Sequence, residues 1–152
     1  VTGSKIPRSV LVVIHSPAHD ILLLERAANP GYWQSVTGSL ESGETPAAAA
    51  AREVAEETGL CCTPADLVDW HLSNRFEIFA HWRSRYAEGV THNVETVFSL
   101  ALADRPDIRL APAEHRAWQW LPWRQAAAAC FSWTNRDAIF MLGLGRSGAG
   151  AP

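Results

Sequence analysis

The stretch from Pro46 to Thr58, PAAAAAREVAEET, constrains this chain more than any other. Alanine has the best intrinsic helix propensity, and Ala47–Ala51 is an unbroken alanine run. Thr45 can cap the start, Pro46 suits the first helical position, and Gly59 suits the left-handed residue that ends a helix. Strand-like segments lie on both sides, so the helix must pack on a sheet. Ala47, Ala51, Val54 and Thr58 form a broad stripe of small side chains for that contact. Glu53, Glu56 and Glu57 stand at i, i+3 and i+4 and share another face. Three carboxylates so close repel one another, and the pattern makes sense if a cation sits among them. Hard oxygen ligands suit Mg²⁺, Mn²⁺ or Ca²⁺, and no His or Cys shares the face to suggest zinc. Arg52 can hold a carboxylate through a bidentate pair. Glu44 sits at the helix start, where negative charge is favourable. Gly38 and Gly43 let the preceding loop fold back.

The rest of the chain reads as α+β. Arg8–His15 and Ile21–Arg26 are apolar, β-branched runs that suggest a hairpin across the turn Pro17–Asp20. Trp33–Thr37 is a short strand. Leu67–His71, Arg75–Arg83 and Val94–Leu102 are further strands, with a turn at Glu88–Gly89. In the strand His115–Leu121, Trp118 and Trp120 point one way and Ala117 and Gln119 the other. Pro122–Ala129 and Trp133–Leu142 read as helices. One domain over 1–142 is expected, followed by a disordered Gly- and Ala-rich tail over 143–152.

The 152 residues carry a formal net charge of −3, against the basic excess of proteins that track a nucleic-acid backbone. No apolar run reaches the roughly 18 residues of a membrane helix. The three cysteines, Cys61, Cys62 and Cys130, have neither zinc-site spacing nor a disulfide framework. Reduced thiols and a cytoplasmic location are expected, with no nucleic-acid or membrane partner.

Gly38, Glu44, Arg52, Glu53, Val54, Glu56, Glu57, Gly59 and Leu60 occupy the positions of the Nudix box, and through it the chain resembles the Nudix hydrolases. The resemblance implies an α/β/α sandwich around a mixed sheet, with Mg²⁺ as cofactor and Mn²⁺ as a substitute. It makes Glu53 and Glu57 the foremost metal ligands with Glu56 close behind. Arg52 then orients a glutamate, Gly38 offers its backbone carbonyl to the metal, and Glu44 ties the loop to the helix. Bound metal neutralises phosphate oxygens and activates water, which is what cleaving a phosphoanhydride needs.

Outside the box, VLVVIHS, WQSVTGSLESGET, the run FEIFAHWRSRYAEGVTHNVET from Phe76 to Thr96, AEHRAWQWL and SWTNRDAI resemble a bacterial folate-pathway branch of the family. That branch takes pyrophosphate from 7,8-dihydroneopterin triphosphate and leaves the monophosphate. The resemblance adds Glu114 as a third metal-binding glutamate or base, and Lys5, Arg26, Thr37 and Ser132 as substrate contacts. Ser132 also suits a helix N-cap. Trp33, Phe76, Phe79, Trp82 and Trp133 are candidates for stacking on a pterin, and Asn135 for reading its edge. Arg75, Arg83 and Arg85 are candidates for guiding the triphosphate. His81, His92 and His115 are read as surface or phosphate-side residues, and Glu95 is a spare acidic candidate.

Two other readings compete. A house-cleaning (d)NTP pyrophosphatase would use the same metal site with a different base pocket. A nucleotide-sensing Nudix domain without catalysis would not need all the box acids that are present here. The substrate is a small triphosphate on either enzyme reading, and the sequence is compatible with a monomer or a homodimer.

Overall fold

The computed structural model describes residues 3–149. Its strands are β1 (Arg8–His15), β2 (Asp20–Arg26), β3 (Trp33–Gln34), β4 (Val36–Ser39), β5 (Val68–Glu77), β6 (His92–Ala101) and β7 (His115–Pro122). Its helices are α1 (Pro46–Thr58), α2 (Trp123–Ala129) and α3 (Trp133–Ala149). The central path of the sheet is β3-β2-β1-β6-β5, with β4 added on β1 and β7 on β2. β1 and β6 run parallel and the other pairs antiparallel, so the sheet is mixed.

β1 and β2 read as nearly unbroken apolar runs because both of their faces are covered. Val10, Val12, Ile14, Leu22 and Leu24 face α1, where they meet Ala49, Ala50 and Val54. Leu11, Val13, Ile21 and Leu23 face α2 and α3 and meet Ala126, Ala127, Ala138 and Ile139. This is the expected α/β/α sandwich. The stripe of α1 is shifted slightly: Ala49 and Ala50 are fully buried, whereas Ala51 is only partly covered. Trp118 and Trp120 both pack on the α1 side, as their alternation requires.

The expected β1–β2 hairpin forms only at its turn, where His15 pairs with Ile21. Beyond that pair the strands part. β4 takes the free edge of β1 from Ser9 to Val12, and β3 takes that of β2 at Leu24 and Glu25. The expected single strand Trp33–Thr37 is therefore two short ones that cross the fork. The fork opens the interior beside α1 and positions the site.

Two further expectations are corrected. The strand Arg75–Arg83 is interrupted: β5 ends at Glu77, and Ala80–Arg85 forms a 3₁₀ helix. Arg83 folds the chain back by donating to the Ile78 carbonyl at 3.1 Å and to Glu77 at 2.9 Å. The expected disordered tail from Gly143 is helical as far as Ala149, while residues 150–152 lie outside the described residues. No proline interrupts this stretch before Pro152. Gly143 is buried, and a Cβ there would run into the Trp123 indole, so α3 continues because its glycine lets it lie close against α2.

Candidate active site

A cleft of about 1350 Å³ opens at the fork and is walled by α1, β4, β6, the 3₁₀ helix and the start of α3. Its polar end begins with the box. Arg52 makes a two-pronged pair with Glu44, both bonds at 2.8 Å, and also donates to the Ser39 carbonyl at 3.1 Å. A third donor, Nη1, holds Glu53 Oε1 at 2.7 Å. Glu44 accepts the Glu41 backbone N–H as well, so it ties the loop to the helix as expected. These hydrogen bonds to Arg52 hold the Glu44 carboxyl down at about 2 and push the Arg52 guanidinium up.

That pairing has a testable signature. Above the ordinary carboxylate value of 4.5, Glu44 is charged whether the chain is folded or not, and the pair stabilises the fold in full. As pH falls from 4.5 towards 2, the unfolded chain takes up its proton first and the contribution is lost. Glu44→Gln is expected to cost about 1–3 kcal/mol at pH 7, or roughly 3–9 °C in Tm for a chain of this size. The gap from the parent should narrow steadily below pH 4.5 and close only near pH 2. Melting curves across that range check it; a constant gap would contradict the assignment.

Glu53 and Glu57 are buried side by side, within hydrogen-bonding reach of each other. Glu57 is only 2% exposed; it accepts the Thr37 backbone N–H, but its Oε1 has no hydrogen-bond partner. Burial, then the neighbouring Glu53 and Glu114, push the Glu57 carboxyl well above its ordinary value. Burial also raises Glu53, against the pull of Arg52. Gly38 lies so close that a Cβ would collide with the Glu53 carboxyl. Among the described residues no three acidic, histidine or cysteine side chains are gathered closely enough to hold an ion by themselves. The donor set nonetheless fits a hard cation: anionic oxygens, one of them orphaned, beside a backbone that glycine alone lets approach.

Glu56 departs from expectation. It is exposed, pairs with Arg52 at 3.2 Å and does not line the cleft. Its place one residue from Glu57 rotates it off the inward face. Glu114 does line the cleft, from the loop before β7, close enough to Glu57, Lys5 and Arg26 to act on their charges.

The cations gather opposite. Lys5 is placed by its backbone N–H on the Arg85 carbonyl at 2.8 Å. Arg26 follows a register shift in β2, donates to Asn29 and Gln34, and stacks on Trp82 at 4.7 Å. Burial lowers both Lys5 and Arg26, and repulsion from Arg85 adds to it. Three crowded cations form a ready anion site. Of the three arginines weighed from sequence, Arg85 alone lines the cleft. Thr37 lines it too, with its hydroxyl on the Val10 carbonyl. Ser132 is there as well, its Oγ against Thr134 at 3.0 Å and near the Asn135 N–H at 3.5 Å, a loose cap.

His115, expected at the surface or on the phosphate side, lines the cleft but is buried, 3.3 Å from Gln34 and 3.8 Å from Glu57. Burial, then Arg26, lower it to about 4, so it is neutral at pH 7 and does not offset Glu57. Gln34 and Tyr86 are lining residues without any sequence signal. At the other end Phe79, Trp82 and Phe131 pack ring against ring around an aromatic recess, and Phe76 and Trp133 also line the cleft. Trp33 packs beneath α2 and α3 instead. Asn135 lines the cleft with its amide held on Ser35, accepting the Ser35 N–H at 2.8 Å and donating to the Ser35 Oγ at 2.9 Å.

Known proteins share this architecture. The NUDIX domain family matches residues 5–142. The chain is 46% identical over 138 residues to dihydroneopterin triphosphate diphosphatase of Escherichia coli (strain K12), covering 89% of this chain and 91% of that one. The protein of the same name from Haemophilus influenzae is 38% identical over 135 residues, covering 87% and 84%. The solved structure of the E. coli dihydroneopterin triphosphate pyrophosphohydrolase superimposes with a TM-score of 0.83, covering 90% of this chain and 94% of that chain.

Proposed function

The chain belongs to the Nudix family, and on that premise we propose that it hydrolyses 7,8-dihydroneopterin triphosphate to the monophosphate and pyrophosphate. One observation carries the reading. A single cleft joins buried box carboxylates, a cluster of three cations and an aromatic recess. That is the order of metal, triphosphate and ring in such a substrate.

Glu53, Glu57, Glu114 and the Gly38 carbonyl would hold a divalent ion, which we take to be Mg²⁺ with Mn²⁺ as a substitute. When bound, that ion withdraws charge from phosphate oxygens and lowers the pKa of attached water. Arg52 keeps Glu53 turned inward. Lys5, Arg26 and Arg85 hold the phosphate chain; a bound anion relieves their mutual repulsion, so affinity is concentrated there. Ser132 offers a hydroxyl along the path, and Thr37, whose own hydroxyl donates to the Val10 carbonyl, lines it. Trp82, beneath Arg26 and Arg85, links the phosphate and ring ends. We place the enzyme in the cytoplasm, in keeping with its free Cys61, Cys62 and Cys130.

The test is steady-state hydrolysis with Mg²⁺, comparing dihydroneopterin triphosphate with the four dNTPs, GTP and ADP-ribose. The pterin is expected to lead in kcat/KM by at least about tenfold, releasing pyrophosphate. Equal rates on dNTPs would favour the house-cleaning reading, and no turnover at all would favour a sensor.

A further inference from the structure

We propose that Asn93 and Glu95 form a recognition floor that reads the donor edge of a 2-amino-4-oxopyrimidine ring, the edge common to pterins and guanine. The inference deepens the substrate reading above and rests on it for the placement of the ring.

Asn93 and Glu95 alternate on β6, so both side chains face the same way. Both line the cleft. Asn93 is 3% exposed and Glu95 5% exposed. Asn93 donates to Ser9 Oγ at 2.7 Å, but its Oδ1 has no hydrogen-bond partner. Glu95 meets Thr134, but its Oε1 has none. Two buried acceptors in one wall, both lacking donors, are costly to keep. Neither belongs to the carboxylate group at the box, and the nearby Asn135 amide already pairs at both its oxygen and its nitrogen with Ser35.

The ligand that satisfies them must bring adjacent N–H donors. A 2-amino-4-oxopyrimidine does so through N3–H and the 2-amino group of a pterin, or N1–H and the 2-amino group of guanine. Adenine and cytosine set an acceptor beside their amino group, and thymine has one N–H between two carbonyls. Only the first pattern lays two neighbouring donors on a carboxylate while leaving a third for Asn93. Phe76, paired with Asn93 across the β5–β6 ladder, supplies a flat apolar neighbour for the ring. Burial, opposed by the Thr134 hydrogen bond, holds the Glu95 carboxyl up at about 7, the behaviour of an acid awaiting donors.

Two pairs of ligands that differ only at the 2-position test this on the parent protein. Pterin and lumazine, used as competitive inhibitors, exchange a 2-amino group for a 2-oxo group. GTP and ITP, used as substrates, differ by the presence of the 2-amino group. The amino member of each pair is expected to be favoured by at least tenfold. In Glu95→Gln, which keeps the shape but replaces one acceptor oxygen with a donor, the GTP-to-ITP ratio of kcat/KM should fall at least tenfold. Should the variant fail to fold, the two comparisons on the parent still decide. Preference for GTP over ITP without preferred turnover of dihydroneopterin triphosphate would keep this floor and reject the pterin substrate. Indifference to the 2-amino group in both pairs, or an unchanged ratio in a folded variant, would overturn the proposal.

Discussion

Glu57→Gln is expected to lower kcat by about three orders of magnitude and leave the metal-free protein at least as resistant to heat as its parent. Glu57 is almost wholly inaccessible, sits against Glu53 and within electrostatic reach of Glu114, and has an oxygen with no partner. Burying charge in such company opposes folding, so a neutral side chain of the same shape removes a cost. What it also removes is the anionic oxygen a divalent ion needs. The two effects separate in one experiment. Mg²⁺ at about a hundred times its Kd should stabilise the parent by about 2.7 kcal/mol, or roughly 5–10 °C in Tm at this chain length. The variant's Tm should stay nearly flat over the same titration. Were Glu57 only a packing residue, the variant would melt earlier and keep its Mg²⁺ response.

Legibility of the site followed from how each residue is placed. Glu44, Arg52, Glu53 and Glu57 were readable because helical geometry fixes which of them share a face, and one short segment holds them all. The same geometry could not say that Glu56 would turn outward; that depends on where the sheet lies under α1. Glu114 and Lys5 came only through resemblance, since each reaches the cleft from a separate loop. Choosing Arg85 over Arg75 and Arg83 required the 3₁₀ helix at Ala80–Arg85, which strand-like alternation had concealed. Trp33 and Trp82 are equally aromatic in sequence, and only the β3 pairing sends Trp33 beneath the helices. The fork between β1 and β2 was hidden because both strands have apolar patterns that suit a full hairpin. Their separation follows from competition for edges by β3 and β4, a long-range choice. Asn93 and Glu95 gave little signal because polar residues in a strand usually face solvent.

Gly38→Ala, one methyl group at the other side of the same carboxylates, is expected to lower kcat about 10²-fold and to raise the Mg²⁺ concentration needed for half-maximal activity. The cause is space rather than backbone conformation. Gly38 lies in β4, paired with Val10, and is not among the glycines with positive φ, so alanine fits the strand. The added Cβ would occupy the position of the Glu53 carboxyl. That carboxyl ends a flexible side chain and can swing aside, so the fold should survive with a modest loss of Tm. Swinging aside breaks its 2.7 Å bond to Arg52 and its contact with Glu57. A ligand displaced by about an ångström no longer meets the ion and the phosphate in the geometry the reaction requires. The result should be a folded protein, with Glu44 and Arg52 still paired, that binds metal weakly and turns over slowly. Metal-activation curves alongside melting curves check this. Parent-like activation by Mg²⁺ would show that Glu53 is not a ligand held in place by the approach of Gly38.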